Sequence, residues 1–441
     1  MGSEGYGDGA LAGPAVAAPR SPAAARRRLV VATTIGNTLE WYDFFVYAFL
    51  SVTIARVFFP TGSKLSSVLL AVATFGVGFV MRPVGAAVLG AYADRVGRKA
   101  ALTATIGLMA LGTALIALAP TYQAIGVWAP LLVVISRLLQ GFSCGGELGG
   151  ATAILIESAP AQRRGLYASL QLASQNAAFV LGSLVTLVVT TSITPARVEA
   201  GGWRWPFLVG LLIVPVGLYI RWRLAEPELF LRSRREAMAS PLAEAVRRHA
   251  RPMLTAIGIS ALYVVAPYVL LLYMPTFAVR QLGLPATDAL IAGTITGCVS
   301  MGLCPIVAVV SDRIGRKPLL LAAALLMAML TYPAFELLVA YPSTWTVIGV
   351  QLATGVLLVM YSSPVLAVLG ELFPTHVRST AVALAYSLAV AALAGFAQAI
   401  VTWLIAATGN GAAPAFYVTG AAVISLAALW NVRDRFREPL R

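Results

Sequence analysis

Apolar residues run in long, nearly unbroken stretches along most of the chain, with polar and charged residues gathered in the short gaps between them. A helix needs about 18 or more consecutive apolar residues to cross roughly 30 Å of hydrocarbon. Twelve runs meet that length, at 30–59, 68–92, 100–119, 126–157, 165–191, 205–224, 252–280, 287–310, 318–340, 344–372, 378–407 and 412–431. The pattern predicts an all-α polytopic membrane protein of twelve transmembrane helices.

Composition removes the competing soluble reading. Of 441 residues 59% are hydrophobic and only 11% charged. The net charge of +14 would suggest nucleic acid in a soluble chain, but the positions of the basic residues explain it differently. Five fall at one end of the spans (Arg56, Lys64, Arg197, Arg204, Arg280), two lie within spans (Arg82, Arg137) and the other 25 fall at the opposite end. Basic loops stay on the cytoplasmic side. Both termini are therefore expected in the cytoplasm, with no nucleic-acid partner.

The remaining inventory adds little chemistry. Cys144, Cys298 and Cys304 sit inside spans without metal-ligand spacing, so they read as small packing residues and no metal site is expected. His249 and His376 have no partner nucleophile at a recognisable spacing, and no phosphate-cradling loop is present. The chain is not expected to be an enzyme or to hold a cofactor. Residues 1–28, rich in Ala, Gly and Pro and ending in Arg26, Arg27 and Arg28, read as a disordered cytoplasmic tail. They do not read as a cleaved leader, because the first apolar run starts late and is too long.

Two motifs recur at nearly one offset. "GAYADRVGRKAAL" after the second run returns as "AVVSDRIGRKPLL" after the eighth, placing Asp94 and Asp312 218 residues apart. "ESAPAQRRG" returns as "ELFPTHVRS", matching Glu157 and Arg164 to Glu371 and Arg378 at a separation of 214. The chain thus reads as two pseudo-symmetric six-helix halves, 29–224 and 252–431. A cytoplasmic linker of alternating charge joins them at 225–251, and a short tail follows at 432–441.

The segments "GNTLEWYDFFVYAF", "FFP", "MRPVG", "GAYADRVGRK" and "RLLQGFSCGGELGG" together resemble the major facilitator superfamily, in its metabolite:proton symporter branch, over about residues 29–432. That resemblance implies alternating access by rocking of the two halves, with a proton as the coupling ion. It also implies a cytoplasmic latch built from Gly90, Asp94, Arg95, Gly97, Arg98 and Lys99 and their repeat Asp312, Arg313 and Arg316, with Glu157, Arg164, Glu371 and Arg378 as partners. Positive-inside topology with weak surface ion pairs is the plainer alternative, although Lys and Arg alone would satisfy topology without the repeated Asp.

Ionisable residues inside spans are expensive and functional by default. Glu40 and Asp43 are three residues apart and so share one helix face. Counted from Val30, they lie about 15 Å and 20 Å along the helix. Arg137, Gly141, Gly145 and Gly149 form a ridge of fourth positions on which a neighbour can pack closely. Resemblance to sugar:proton relatives pairs an acid of the first span, here Asp43, with Arg137 for proton coupling. Their depths disagree, since Arg137 lies about 30 Å from the cytoplasmic end of its span. Glu147 is a third acid, able to serve as a second proton site, a cation ligand or a partner for Arg82. A buried ion-pair network that only sets helix register would equally account for Arg82, Glu40 and Glu147.

Asn37, Tyr47, Arg82, Gln171, Gln175, Asn176, Tyr268 and Gln398 are candidate substrate-binding residues, and interhelical hydrogen bonding is the alternative for the neutral ones. The expectation is a monomeric proton symporter of the bacterial inner membrane. The branch takes di- and tricarboxylates, shikimate-like acids and zwitterions such as proline or betaine. Two buried arginines point to an organic carboxylate; a zwitterionic osmolyte, or efflux by antiport in the same fold, are the alternatives.

Overall fold

Lipid offers no partner for backbone N–H and C=O groups, so each apolar run must satisfy its own backbone as a helix. The computed structural model describes residues 22–96, 98–145, 159–222 and 248–430, with Thr152, Leu155, Ile156, 432–434 and Glu438 beside them. Among these the regular structure is all helical. The first run is α1 (Pro22–Phe49) and α2 (Ser51–Phe58), bent by 66° at Leu50. The second is α3 (Lys64–Val80) and α4 (Arg82–Val96), whose one-residue break at Met81 precedes Pro83, a residue without the N–H the helix needs. The rest of the first half is α5 (Arg98–Leu118), α6 (Trp128–Cys144), α7 (Arg164–Ser192) and α8 (Arg204–Trp222).

The second half opens with α9 (Ala250–Pro267), which continues as wide π-type turns at Tyr268–Leu272 and Ala278–Leu282. Pro267 and Pro275 withhold two backbone donors in this stretch, and the helix widens where they fall. Then come α10 (Ala286–Ile314), α11 (Lys317–Ala340), α12 (Thr344–Leu372), α13 (Thr375–Ala389), α14 (Ala397–Thr408) and α15 (Pro414–Trp430). Pro364 lies inside α12 without ending it. Among the described residues seven stretches are each long and apolar enough to cross a bilayer, and the bent α1–α2 pair makes an eighth. Three shorter apolar helices and α8 complete the twelve expected spans.

One boundary differs from expectation. Residues 22–28, assigned from sequence to the tail, begin α1. "PAAARRR" is a good helix start, with Pro where an unpaired N–H would stand and strong helix formers behind it. Most of the expected linker and both outer tails lie outside the described residues.

Small residues bring the helices of the first half together. A Cβ on Gly141 would meet the Gly78 carbonyl oxygen at 1.6 Å, and one on Gly145 would meet the Arg82 carbonyl at 2.1 Å. The ridge on α6 is thus the surface on which α3 and α4 lie. The halves meet along α7 with α10 and along α3 with α14, where Gly76 and Gly395 approach backbone to backbone. Leu118, Leu254, Trp345 and Trp430 are widely exposed on the outside of the bundle, as suits a surface whose solvent is lipid.

Candidate functional site

Two buried arginines organise the interior. Arg137, on α6, is fully buried with its guanidinium 4.1 Å from the centre of the Tyr47 ring. None of its side-chain nitrogens has a hydrogen-bond partner. Asp43, 4% exposed, faces it within electrostatic reach but outside direct hydrogen bonding. The Asp43 carboxylate takes the Thr113 hydroxyl of α5, and Gln140 donates to the same hydroxyl at 3.0 Å. Gly210 of α8 makes the room, since a Cβ there would meet Asp43 Oδ1 at 2.3 Å. Helices α1, α5, α6 and α8 therefore seal this acid inside the first half.

The mismatch in depth does not survive, because Asp43 and Arg137 face each other in the structure.

Arg82, on α4, is 2% exposed and sits in a cage of rings, with its guanidinium 4.6 Å from Phe79, 4.9 Å from Trp41 and 5.2 Å from Phe44. Its Nε and Nη2 are unpartnered. Tyr386 of α13 accepts a hydrogen bond from it, and Glu40 of α1 and Tyr268 act on it electrostatically. Glu40 and Asp43 consequently serve different surroundings: Asp43 looks into the first half and Glu40 toward the seam between halves. Their shared face, expected from a spacing of three, is split because three residues turn a helix by 300°, leaving about 60° between the side chains.

A cavity lies at that seam. Trp41, Gln175, Asn176 and Phe179 wall it from the first half, and Tyr263, Tyr268, Ser300, Ser362 and Tyr386 from the second. The Gln175 amide and the Tyr263 hydroxyl pair with each other there, and the Tyr268 hydroxyl is buried without a partner. Of the candidate binding residues, Gln175, Asn176 and Tyr268 line the cavity, and Arg82 stands beside its Trp41 and Tyr268 wall.

Other candidates are occupied elsewhere. Asn37 donates to the Gln171 carbonyl at 3.1 Å and to the Ser174 hydroxyl at 2.7 Å, joining α1 to α7. Gln171 accepts from Thr152 at 2.8 Å. Tyr47 gives its hydroxyl to the Ala71 carbonyl at 3.0 Å and its ring to Arg137. Gln398 is buried on α14 with both amide atoms unpartnered, outside the cavity wall. Sequence reasoning did not single out Trp41, Tyr386, Thr113 or Gln140. Gln140 carried a usable signal, one turn beyond Arg137; the others carried none.

A second polar cluster closes one end of the bundle. Asp312, at the end of α10, accepts the backbone N–H groups of Gly165 at 2.9 Å and Leu166 at 3.1 Å, so an acid of the second half caps α7 of the first. Arg316 holds Asp312 at 3.2 Å and is paired with Glu371, which also lies 3.9 Å from Arg164. Arg378 is buried and donates to the Gly370 carbonyl at 2.8 Å. Gly315 takes φ 102°, a conformation that glycine adopts without strain, and so turns the chain between Asp312 and Arg316. Arg164 further donates to the Glu438 carbonyl at 2.9 Å, and Asp434 caps the start of α11 through the N–H groups of Arg316 and Lys317. Arg313 is exposed. Gly90 belongs to α4, while Gly97, Glu147 and Glu157 and the side chains of Asp94, Arg95, Arg98 and Lys99 lie outside what the structure describes. At the opposite end Ser51 meets Thr276 at 3.0 Å across the halves. The halves thus touch beyond both ends of the cavity.

Comparison with known proteins agrees with this architecture. Residues 33–394 match the Major Facilitator Superfamily. A citrate-proton symporter of Klebsiella pneumoniae is 38% identical over 404 residues, covering 92% of this chain and 91% of that protein. A proline/betaine transporter of Escherichia coli (strain K12) is 32% identical over 433 residues, with 94% and 85% covered. Among solved structures, the partially occluded inward open conformation of the xylose transporter XylE from E. coli superposes with a TM-score of 0.76 at 20% identity, covering 94% of this chain and 99% of that one.

Proposed function

The chain belongs to the major facilitator superfamily, and we propose that it is a proton-coupled symporter of the bacterial inner membrane that imports an organic carboxylate, a di- or tricarboxylate such as citrate. The observation that carries this reading is a seam cavity lined by the Gln175 amide and the Tyr263 and Tyr268 hydroxyls, with the caged Arg82, two of whose guanidinium nitrogens have no partner, behind its Trp41 and Tyr268 wall. Buried donors without partners cost free energy until something accepts from them. A carboxylate presents four lone-pair sites and suits the planar fork of an arginine. The relatives named for citrate support the same class.

Proton coupling falls to Asp43 with Arg137. An ionised carboxylate facing a fixed guanidinium stores a proton site whose affinity changes with its surroundings, and arginine keeps its charge throughout. Protonation of Asp43 removes that attraction and frees α1 to move against α5, α6 and α8. The Asp312, Arg316, Glu371 and Arg164 cluster latches the face on which both termini lie, the cytoplasmic face by the charge asymmetry of the loops. Breaking it lets the halves, 29–224 and 252–431, rock about the cavity, and a single chain suffices for the cycle.

A zwitterion reading has its own support, since Trp41, Tyr268 and Tyr386 could take a quaternary ammonium by cation–π contact and other relatives are named for proline and betaine. One experiment separates the two. Proteoliposomes are given citrate, succinate, shikimate, proline or betaine in turn, with uptake and external pH followed together. Alkalinisation with citrate or succinate, and none with betaine, is expected. Accumulation of betaine alone would reverse the assignment, and absence of all proton-linked uptake would remove it.

A further inference from the structure

The sealed Asp43 leaves a second acid of α1 unexplained. Glu40 is half-buried at the seam, one residue before the Trp41 that walls both the Arg82 cage and the cavity. Among the described residues the charged and titratable groups around this point come from several elements. They are Arg82 from α4, Cys144 from α6, Tyr268 from the turn after α9 and Tyr386 from α13. Asp43, on the same helix, is engaged with Thr113 on the other side. Among the described residues Arg82 is thus the one guanidinium of this group, and Glu40 the one carboxyl acting on it.

We propose that Glu40 is the exchangeable counter-ion of Arg82, displaced by the substrate carboxylate at each turnover and carrying a second proton as it is displaced. This rests on the carboxylate reading above. Glu40 neutralises Arg82 in the empty carrier, which avoids an isolated buried charge. An arriving carboxylate needs the same guanidinium, and two anions on one cation in a low-dielectric site repel. Glu40 is fixed to α1 and cannot leave. It takes a proton from water on the open side of the cavity, becomes neutral and yields Arg82 to the substrate. Once the halves reopen and the substrate departs, Glu40 returns that proton on the opposite side and closes on Arg82 again. Tyr386, from the other half, completes the group only when α13 lies against α4, so the competition is sharpest in the closed form. The cycle then moves two protons, one on Asp43 and one on Glu40.

The test uses citrate binding to the purified full chain between pH 7.5 and 9, where free citrate is fully ionised. The D43N background removes the other proton site. In D43N, the dissociation constant should rise about tenfold per pH unit, as required when one proton is bound with the ligand. In the D43N/E40Q double variant it should stay flat at the tight-binding value. An unchanged slope in the double variant would overturn the proposal. So would loss of citrate binding in E40Q with recovery in E40D, which would make Glu40 an attractive contact. Calorimetry on wild-type protein in buffers of different ionisation enthalpy provides a check without substitution: proton uptake on citrate binding is expected, and none overturns it. Failure of the wild-type chain to bind citrate at any pH would strike the carboxylate reading itself.

Discussion

Arg82 and Arg137, the two arginines buried within the spans of the first half, are built from the same parts and stand in different surroundings. Each lies over aromatic rings, each has an acid of α1 within electrostatic reach, and those acids stand only three residues apart. Arg137 and Asp43 are enclosed by four helices of one half, with Thr113 and Gln140 filling the remaining polar space. Arg82 and Glu40 stand where the two halves meet, beside a cavity that both halves wall. The first centre is closed within one half, whereas the second borders the cavity. Under the proposed roles, the separation would let one helix, α1, answer to proton and substrate while the substrate stays away from Asp43.

The comparison breaks most sharply at Asp43. D43N should abolish accumulation driven by a pH gradient while leaving citrate counterflow in place; normal concentrative uptake would show that the sealed centre carries no proton. The arginines themselves should separate next. R82K keeps a charge but loses the planar fork, and charge-assisted hydrogen bonds of about 1.5–3 kcal/mol translate into citrate affinity weaker by roughly 10- to 150-fold. Arg137 makes no hydrogen bond with its guanidinium. R137K should therefore leave citrate affinity within a few-fold and instead displace the pH profile of uptake, because lysine can lose its proton in a buried site. Equal losses of affinity in both variants would erase the distinction.

Sequence made one of these centres more legible than the other. Charges inside apolar runs are conspicuous, so Asp43, Arg82 and Arg137 stood out, and the glycine ridge on α6 correctly marked the packed face. The apparent conflict in depth came from counting each residue from a helix end, and helix ends do not mark the same level. Aromatics are harder to place. Trp41 and Tyr386 sit in helices apolar on every side, where no periodicity says which side faces a cavity rather than lipid. Asn37 and Tyr47 illustrate the converse, since polar groups near the centre of a span are spent as readily on a neighbouring carbonyl as on a substrate. The cluster around Asp312 and Arg316 was legible because duplication wrote its motif twice.

That duplication supplies the mildest prediction. Asp312 caps α7 through the N–H groups of Gly165 and Leu166, combining hydrogen bonds with the positive end of the helix dipole. D312N keeps an acceptor and removes the charge, so roughly 1 kcal/mol should be lost. Hydrogen exchange at those two amides should then quicken by about fivefold, read on a peptide spanning Arg164–Leu170, while exchange at the centre of α7 stays unchanged. Asp43 and Arg82 make their contacts elsewhere and should keep their citrate affinity and proton coupling. Faster exchange confined to Gly165 and Leu166 would assign Asp312 to holding the halves closed at this end. Unaltered exchange there would mean that Arg316 and Glu371 hold the latch without it.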